Sequence, residues 1–486
     1  MLKTILHNKW LYVISFLFIL TNAYLTYKGQ LILNVIPFAL IIVYVALFHF
    51  DKLFMVLVFF TPLSINIEEF TNGAIGLFLP TEPILFGMLL VIIFNSLQKP
   101  VFDRSILLHP ISIVFFIQLL WIFFTALNSE LPLVSFKFLL TKLWFYIPIY
   151  FYGILFFRQN DKRITTFIWL FVSALTLVVI YTLVNHAANG FDEETGHWVM
   201  TPFFKDHTSY GAILALTYPL IIGLFVENKS PIAKLILIFL LILFGIAIIM
   251  SYTRAAWLSL FGAFLVYLLI RFKIKFKYLA FIGFIGILYI AINWVEIGHA
   301  LEKNRAEHAT ENLDERLESM ANVTSDASNL ERINRWTAAY DLWSERPILG
   351  WGPGTYAMVY GPVQRAENLT IISTSSGNRG NAHSEYLGPL AEQGIIGMLL
   401  MLILVGLIIY YGITVYLKLP NNHFHKTFVL VSVLGLITYF AHGFLNNYLD
   451  TDKATVPVWG LTAYIVMLDL RLKKVTKPYK KDNIKI

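Results

Sequence analysis

The sequence predicts an all-α fold: a polytopic helical membrane protein of about 12–14 transmembrane helices, with one large extracytoplasmic loop that is partly helical. Three observations predict it. Of 486 residues, 57% are hydrophobic and only 14% charged, with mean hydropathy +0.68, more apolar surface than so few charges keep in water. The apolar residues fall in windows of about 17–25 residues, the length that crosses a hydrocarbon core. A single polar island, Asn293 to Gln393, interrupts the series.

Taken in order, the apolar cores are Trp10 to Tyr27, Leu31 to Phe50, Leu53 to Ile67, Pro83 to Leu97, Ile111 to Leu127, Leu139 to Phe157 and Ile164 to Val184. They continue as Ser209 to Val226, Leu235 to Met250, Ala255 to Ile270, Tyr278 to Trp294, Gly394 to Leu417, Thr427 to Phe444 and Val456 to Leu470. The third and fourth are short, which keeps a lower count open. The first has no small-residue cleavage site and reads as a retained span. Five units result: an N-terminal transmembrane bundle (1–200), transmembrane helices carrying Arg254 (201–295), the large outer loop (296–393), C-terminal transmembrane helices (394–470) and a basic tail (471–486).

Orientation follows from lysine and arginine, which stay on the cytoplasmic side of short loops. Lys99 and Arg104, Arg158 to Arg163, Lys229 and Lys234, Arg271 to Lys277, Lys418 and Lys426, and the tail all fall on one side. Both termini are therefore expected inside and the island outside. The net charge of +7 is then a topology signal and not a mark of nucleic-acid binding. With no cysteine, disulfides and thiol chemistry are excluded. No nucleotide, zinc or dinucleotide motif is present, and no metal or cofactor is implied.

Inside the island, His299 to Asn322 reads as a solvated helix or mobile segment. Ser328 and Glu331 have capping-box spacing ahead of a helix expected from about Asn329 to Glu345. Ile333, Trp336, Tyr340 and Trp343 give it an aromatic stripe, suited to the outer leaflet, with Arg332 and Arg335 on the adjoining face. Pro347 should end the helix, and Gly350-Trp-Gly-Pro-Gly354 should form a tight turn. Ser373 to Gly380 is a candidate lid. His383 is then expected in the first turn of the next helix, on one face with Leu387, Leu390, Gly394 and Gly397. There the helix macrodipole disfavours imidazolium and keeps the ring neutral, as a general base requires. A plain helix-capping histidine is the ordinary alternative.

Arg254 follows Ser251, Tyr252 and Thr253 at the outer turn between two spans, where a charge is costly without a partner. It offers a fork for an oxyanion, unless it merely snorkels. Lys205-Asp206-His207-Thr208 closes an outer loop, and either touches an acceptor or caps the span. His442, Asn446, Asn447 and Asp450 crowd the outer end of another span, lining the same cavity or bonding between helices. Lys142 reads as a snorkelling lysine.

Three segments together resemble the O-antigen ligase and O-antigen polymerase superfamily: Ser251-Tyr-Thr-Arg-Ala-Ala-Trp257; Asn334-Arg-Trp336 through Pro347-Ile-Leu-Gly-Trp-Gly-Pro-Gly354; and His383-Ser-Glu-Tyr-Leu387 through Glu392-Gln-Gly-Ile-Ile-Gly397. The resemblance spans about Thr201 to Leu417, and Gly388-Pro389 departs from the uninterrupted helix that usually follows the histidine. It implies a multi-pass protein of the bacterial cytoplasmic (inner) membrane with its active site on the outer face. The implied activity is metal-independent glycosyl transfer from an undecaprenyl-diphosphate-linked glycan to an acceptor hydroxyl. Arg254, Arg332 and Arg335 would bind the diphosphate, and His383 would be the base of a single, inverting displacement. Asp206, His207, Tyr252, Glu392 and His442 would be acceptor-side or supporting residues.

The acceptor stays open between lipid A core (a ligase), a lipid-linked repeat unit (a polymerase) and a protein hydroxyl. One dominant outer loop, ending in His383, favours the ligase. A lipid or glycan transporter is the rival class. Such a protein should carry ionisable groups near the midplane of several spans and matching broken helices, whereas the charges here cluster at the outer surface.

Overall fold

The computed structural model describes residues 9–29, 32–68, 76–273, 327–365, 369, 373 and 380–476. The fold is all-α, as expected. Among the described residues, ten helices are long and apolar enough to cross a membrane. In chain order the helices are α1 (Lys9–Tyr27), α2 (Val35–Phe48), α3 (Phe50–Phe60), α4 (Thr81–Gln98), α5 (Pro110–Leu127), α6 (Pro132–Arg158), α7 (Arg163–Ala188), α8 (His207–Glu227), α9 (Pro231–Met250) and α10 (Arg254–Arg271). They continue with α11 (Ala327–Glu345), α12 (Leu387–Lys418), α13 (Phe424–His442) and α14 (Asp452–Thr476). The expected span Tyr278 to Trp294 and the charged stretch His299 to Asn322 lie outside the described residues, as does most of the candidate lid.

Two local departures are instructive. The second and third apolar runs are α2 and α3, separated at His49, whose φ of −141° and ψ of 51° are not helical. The third run stops at Phe60. Its expected end instead forms a two-residue strand, Ile65–Asn66, paired antiparallel with Phe78–Leu79. Turn-forming and β-branched residues there outcompete continuation of the helix.

α14 is the central post. Trp459, Leu461, Ala463, Tyr464 and Ile465 are buried together, and Trp459 is met by the rings of Phe115 and Tyr146 at 5.0 and 5.6 Å. Small residues set the closest helix approaches. A Cβ on Gly435 of α13 would lie 2.6 Å from the Leu216 carbonyl oxygen of α8, and one on Gly223 would lie 2.6 Å from Val431. α8 and α13 are thereby held backbone to backbone, which fixes Asp206 relative to His442.

α12 is broken near its start. Gly394 has φ +69° and ψ −170°, a conformation essentially reserved for glycine. The break receives the Pro347–Gly354 turn. Ile395 N–H donates to the Pro347 carbonyl (2.9 Å), Trp351 N–H to Ala391 (3.1 Å) and Gly352 N–H to Glu392 (2.8 Å). Trp121 of α5 donates its indole N–H to the Gln393 carbonyl (2.9 Å). Backbone groups released by the break are thus paired again, as apolar surroundings demand. The turn is as expected from its glycines: Gly350, Gly352 and Gly354 all have positive φ.

Replacing Gly394 by alanine should therefore be severe. The new Cβ would sit 2.1 Å from the Ile348 carbonyl oxygen, on top of a backbone cost of about 1–3 kcal/mol. Thermal unfolding in detergent should show a midpoint several degrees lower or no recoverable monodisperse protein, whereas Gly262→Ala, with open space around it, should be neutral.

Candidate functional site

The starts of α4, α6, α8, α10, α12 and α14 and the ends of α5, α7, α9 and α13 lie at one end of the bundle, where α11 and the turns around it also pack. The site is built from four segments there: the α8 start, the α9–α10 turn, α11 with the turn before α12, and the α13–α14 connection.

Asp206 caps α8. Its Oδ1 accepts from Ser209 N–H and Thr208 Oγ1, both at 2.7 Å. His207 follows and stacks on His197 at 4.2 Å. Burial lowers the pKa of His197, against Glu194 and Asp192, which raise it. The α9–α10 turn is pinned onto this corner by Thr253, whose Oγ1 donates to the His207 carbonyl (2.8 Å). That bond places Arg254, the first residue of α10, beside the α8 start. Tyr252 turns the other way. Its hydroxyl donates to the Phe191 carbonyl (3.0 Å) and its ring packs on Gly196 and His186, contacts that fasten the 189–197 loop.

The buried face of α11 is Glu331, Asn334, Arg335, Ala338, Ala339 and Leu342, packed on Tyr356, Tyr360, Ala382 and Ala391. The aromatic stripe is the other face, with Tyr340 exposed. Alanines at the contact admit close approach, so the small face, not the bulky one, turns inward. The Glu331 carboxylate accepts from Arg335 Nε (2.7 Å) and Ser373 Oγ (2.5 Å), and the side chain of Ser328, the other half of the expected capping box, lies outside the described residues. Burial raises the pKa of Glu331, but the bonds from Ser373 and Arg335 outweigh it and hold the group below its ordinary value.

The two arginines thus part company. Arg335 is neutralised by Glu331, donates to the Asn381 carbonyl (3.0 Å), lies over the Tyr360 ring and packs against Gly380, where a Cβ would meet its guanidinium at 1.7 Å. It shapes the turn that carries His383. Arg332 donates Nε–H to the Leu445 carbonyl (3.3 Å). Burial depresses its pKa first; Tyr448 opposes that, the nearby Arg254 cation adds to it, and Asp206 opposes it. A guanidinium stays protonated through such a shift. Arg254 and Arg332, from distant parts of the chain, therefore meet at one place together with Asp206.

His383 is not in the first turn of a helix. α12 begins at Leu387, and His383 occupies a left-handed turn with φ +46°. Ser384 is the reason, since its hydroxyl accepts from the N–H groups of Tyr386 and Leu387 (3.3 Å each) and so caps the helix one residue after the histidine. Asn381 Oδ1 accepts from His383 N–H (3.0 Å), and Trp336 Nε1 donates to the His383 carbonyl (3.4 Å). The ring meets Asn446, with Nδ1 and Oδ1 3.3 Å apart. Neutrality has a different cause from the expected macrodipole. Burial, then Arg335 and Arg332, push the His383 pKa down to about 4, against the Asn446 bond and Asp206.

The α13–α14 connection is held by Glu385, a residue that motif reading passed over. Its Oε1 accepts from Tyr439 hydroxyl (2.7 Å), Tyr448 N–H (2.7 Å) and Leu449 N–H (2.9 Å), while its own N–H donates to the Gly443 carbonyl (2.8 Å). Its adjacency to His383 was the one available signal. His442 is buried, with Nε2 3.0 Å from Asn446 Nδ2.

Glu392 stands apart from the site, with its Oε1 accepting from Tyr356 N–H (3.0 Å) to fasten the glycine turn. Lys142 does not snorkel. It is buried and donates to the Leu449 carbonyl (2.7 Å), because α6 runs through the protein interior at that depth. Among the described residues, no group of three or more His, Cys, Asp or Glu side chains is arranged to hold a metal ion.

Fold and site define a polytopic helical membrane protein whose convergent Arg, His and Asp side chains lie at one end of the bundle. Residues 238–402 match the family model described as O-antigen ligase. By that match this segment is similar to the O-antigen ligase family. No curated protein matches the chain. The matched segment contains Arg254, Arg332, Arg335 and His383; Asp206, His442 and Asn446 lie outside it.

Glu331→Gln tests the division of labour on α11. A buried guanidinium left without its carboxylate costs about 3–5 kcal/mol, so this variant should lose thermal stability markedly. Ser344→Ala, on the exposed side of the same helix, should unfold near the wild-type midpoint.

Proposed function

We propose that the protein transfers a glycan from a polyprenyl-diphosphate carrier to an acceptor hydroxyl at the outer face of a bacterial cytoplasmic membrane, with both termini cytoplasmic. The observation that supports this is the meeting of Arg254, Arg332 and a neutral, partly exposed His383 at one end of the bundle. A lipid diphosphate is already an activated leaving group. Such a reaction needs cations where leaving-group charge grows and a base for the acceptor proton.

Arg254 and Arg332 supply the cations. They are drawn together at a cost in mutual repulsion, which an anionic ligand between them would relieve. Arg335 is assigned to positioning, because Glu331 already neutralises it. His383 takes the hydroxyl proton as the acceptor oxygen attacks the anomeric carbon, and the bond to the diphosphate oxygen breaks with its electron pair. Attack opposite the leaving group inverts the anomeric centre. Asp206 and His207 border the same corner and are the residues placed to meet an acceptor. No metal has a role in this scheme.

Lipid A core is the proposed acceptor, because the single histidine turn serves one acceptor site. Glycan analysis of a deletion strain decides it. Long lipid-linked chains that are never transferred are expected; accumulation of single repeat units would point to a polymerase, loss of protein glycans to a protein transferase, and an unchanged profile would reject glycan transfer altogether.

His383→Ala should lower transfer by about 10²–10⁴-fold while the protein remains membrane-inserted. Arg254→Ala and Arg332→Ala should each cost about 10²–10³-fold. A base must be unprotonated to act, and the His383 pKa of about 4 keeps it so across the neutral range. The plateau of kcat/KM, which reports the free enzyme, should therefore extend down to about pH 5 and fall below it, whereas an unperturbed histidine would give a limb near 6.5. A limb at the higher value would contradict this account.

A further inference from the structure

We infer that Asn446 is the positioning residue of this site, its side-chain carbonyl holding His383 in the tautomer that carries hydrogen on Nδ1 and presents Nε2 as the base. The inference rests on the general-base reading of His383 and deepens it.

The amide of Asn446 is buried between two imidazoles. Oδ1 faces His383 Nδ1 at 3.3 Å, and Nδ2 faces His442 Nε2 at 3.0 Å. An amide nitrogen only donates and an amide oxygen only accepts. Nδ2 therefore donates to an unprotonated His442 Nε2, which leaves that ring's hydrogen on its own Nδ1. The oxygen can bind His383 only if His383 Nδ1 carries hydrogen. A neutral ring has one such hydrogen, so the lone pair is on Nε2.

The reverse setting of the amide would place a donor against His383 Nδ1 and the hydrogen on Nε2. A ring held that way has its basic nitrogen already used. The carbonyl setting also suits the loaded base. When Nε2 takes the acceptor hydroxyl's proton, the Nδ1–H to Oδ1 bond becomes charge-assisted and strengthens.

The charged surroundings of the ring show why such help is needed. Arg335 and Arg332 on α11 oppose a positive His383, while Asn446 from the α13–α14 connection and Asp206 at the α8 start favour it. Trp336 reaches only the backbone carbonyl of His383, and His442 acts through Asn446. Among the described residues, Asn446 makes the side-chain hydrogen bond to the ring. Its own place is set by Glu385, which grips Tyr448 and Leu449 two and three residues further on. Asn446 touches no reacting atom and acts through His383.

The test uses the purified full-length chain added to detergent-solubilised membranes of its own deletion strain, which supply both donor and acceptor. Initial rates against the amount of membranes and against pH give apparent kcat, KM and the acidic limb. Asn446→Asp keeps the shape and puts a stronger acceptor against Nδ1. It should move the acidic limb up by about one pH unit or more and retain at least roughly a tenth of kcat. Asn446→Leu loses the tautomer without touching substrate, so kcat should fall about 10–100-fold with KM nearly unchanged.

An unmoved acidic limb in Asn446→Asp, or wild-type kcat in a monodisperse Asn446→Leu, overturns the inference. Should Asn446→Leu fail to fold, the limb of the near-isosteric Asn446→Asp decides alone. His383→Ala is run beside them. Full activity there sinks the general-base reading itself, whereas an inactive His383→Ala with an unmoved Asn446→Asp limb sinks only the role of Asn446.

Discussion

The carboxylate of Glu385 ties together the two segments on which the site depends. Its backbone belongs to the turn that carries His383, and its side chain, with three donors on one oxygen, organises the α13–α14 connection that carries Asn446. Burial raises its pKa, against the Tyr439 hydrogen bond, which lowers it. A carboxylate in such a place is costly unless its lone pairs are met, and the three donors meet them. This clasp helps to bring residue 383 to residue 446.

A second clasp sets the other half. Thr253 ties the Arg254 turn to His207, and the glycine contacts between α8 and α13 hold the α8 start against the end of α13. Neutral hydrogen bonds and packing thus help to bring Arg254 and Arg332 together beside Asp206. Fixed cations already in place cost no reorganisation when charge develops on a ligand. Arg335 shows the contrast. One turn along the same helix, it has its own carboxylate, a carbonyl and an aromatic ring, and its work is to hold the shape of the 380–383 turn.

How much of this was legible follows from what each feature depends on. The α class and the positions of the helices were legible because bilayer length and hydropathy act on each segment locally. The Gly350–Gly354 turn was legible because positive φ favours glycine. His383 and Arg254 were legible through motif and charge placement. What escaped were pairings over long sequence distance. The bond from Ser373 to the Glu331 carboxylate is one such pairing. Lys142 sits where a snorkelling lysine would, but α6 faces the protein interior. The helix start expected at His383 was displaced by the better cap, Ser384.

That last displacement bears most directly on chemistry. A histidine in a regular first turn would owe its neutrality to the macrodipole and point wherever the helix axis allowed. In a left-handed turn, His383 has backbone partners in Asn381 and Trp336 and a ring partner in Asn446, and burial, reinforced by two arginines, keeps it neutral. The arginine that would bind the diphosphate is also one that depresses the base. An anion bound at Arg332 would offset part of that repulsion and make the imidazole a stronger base only when donor is present. In the proposed reaction, donor binding and proton abstraction would thereby be coupled through one guanidinium, and the base would gain strength in the complex where it is used.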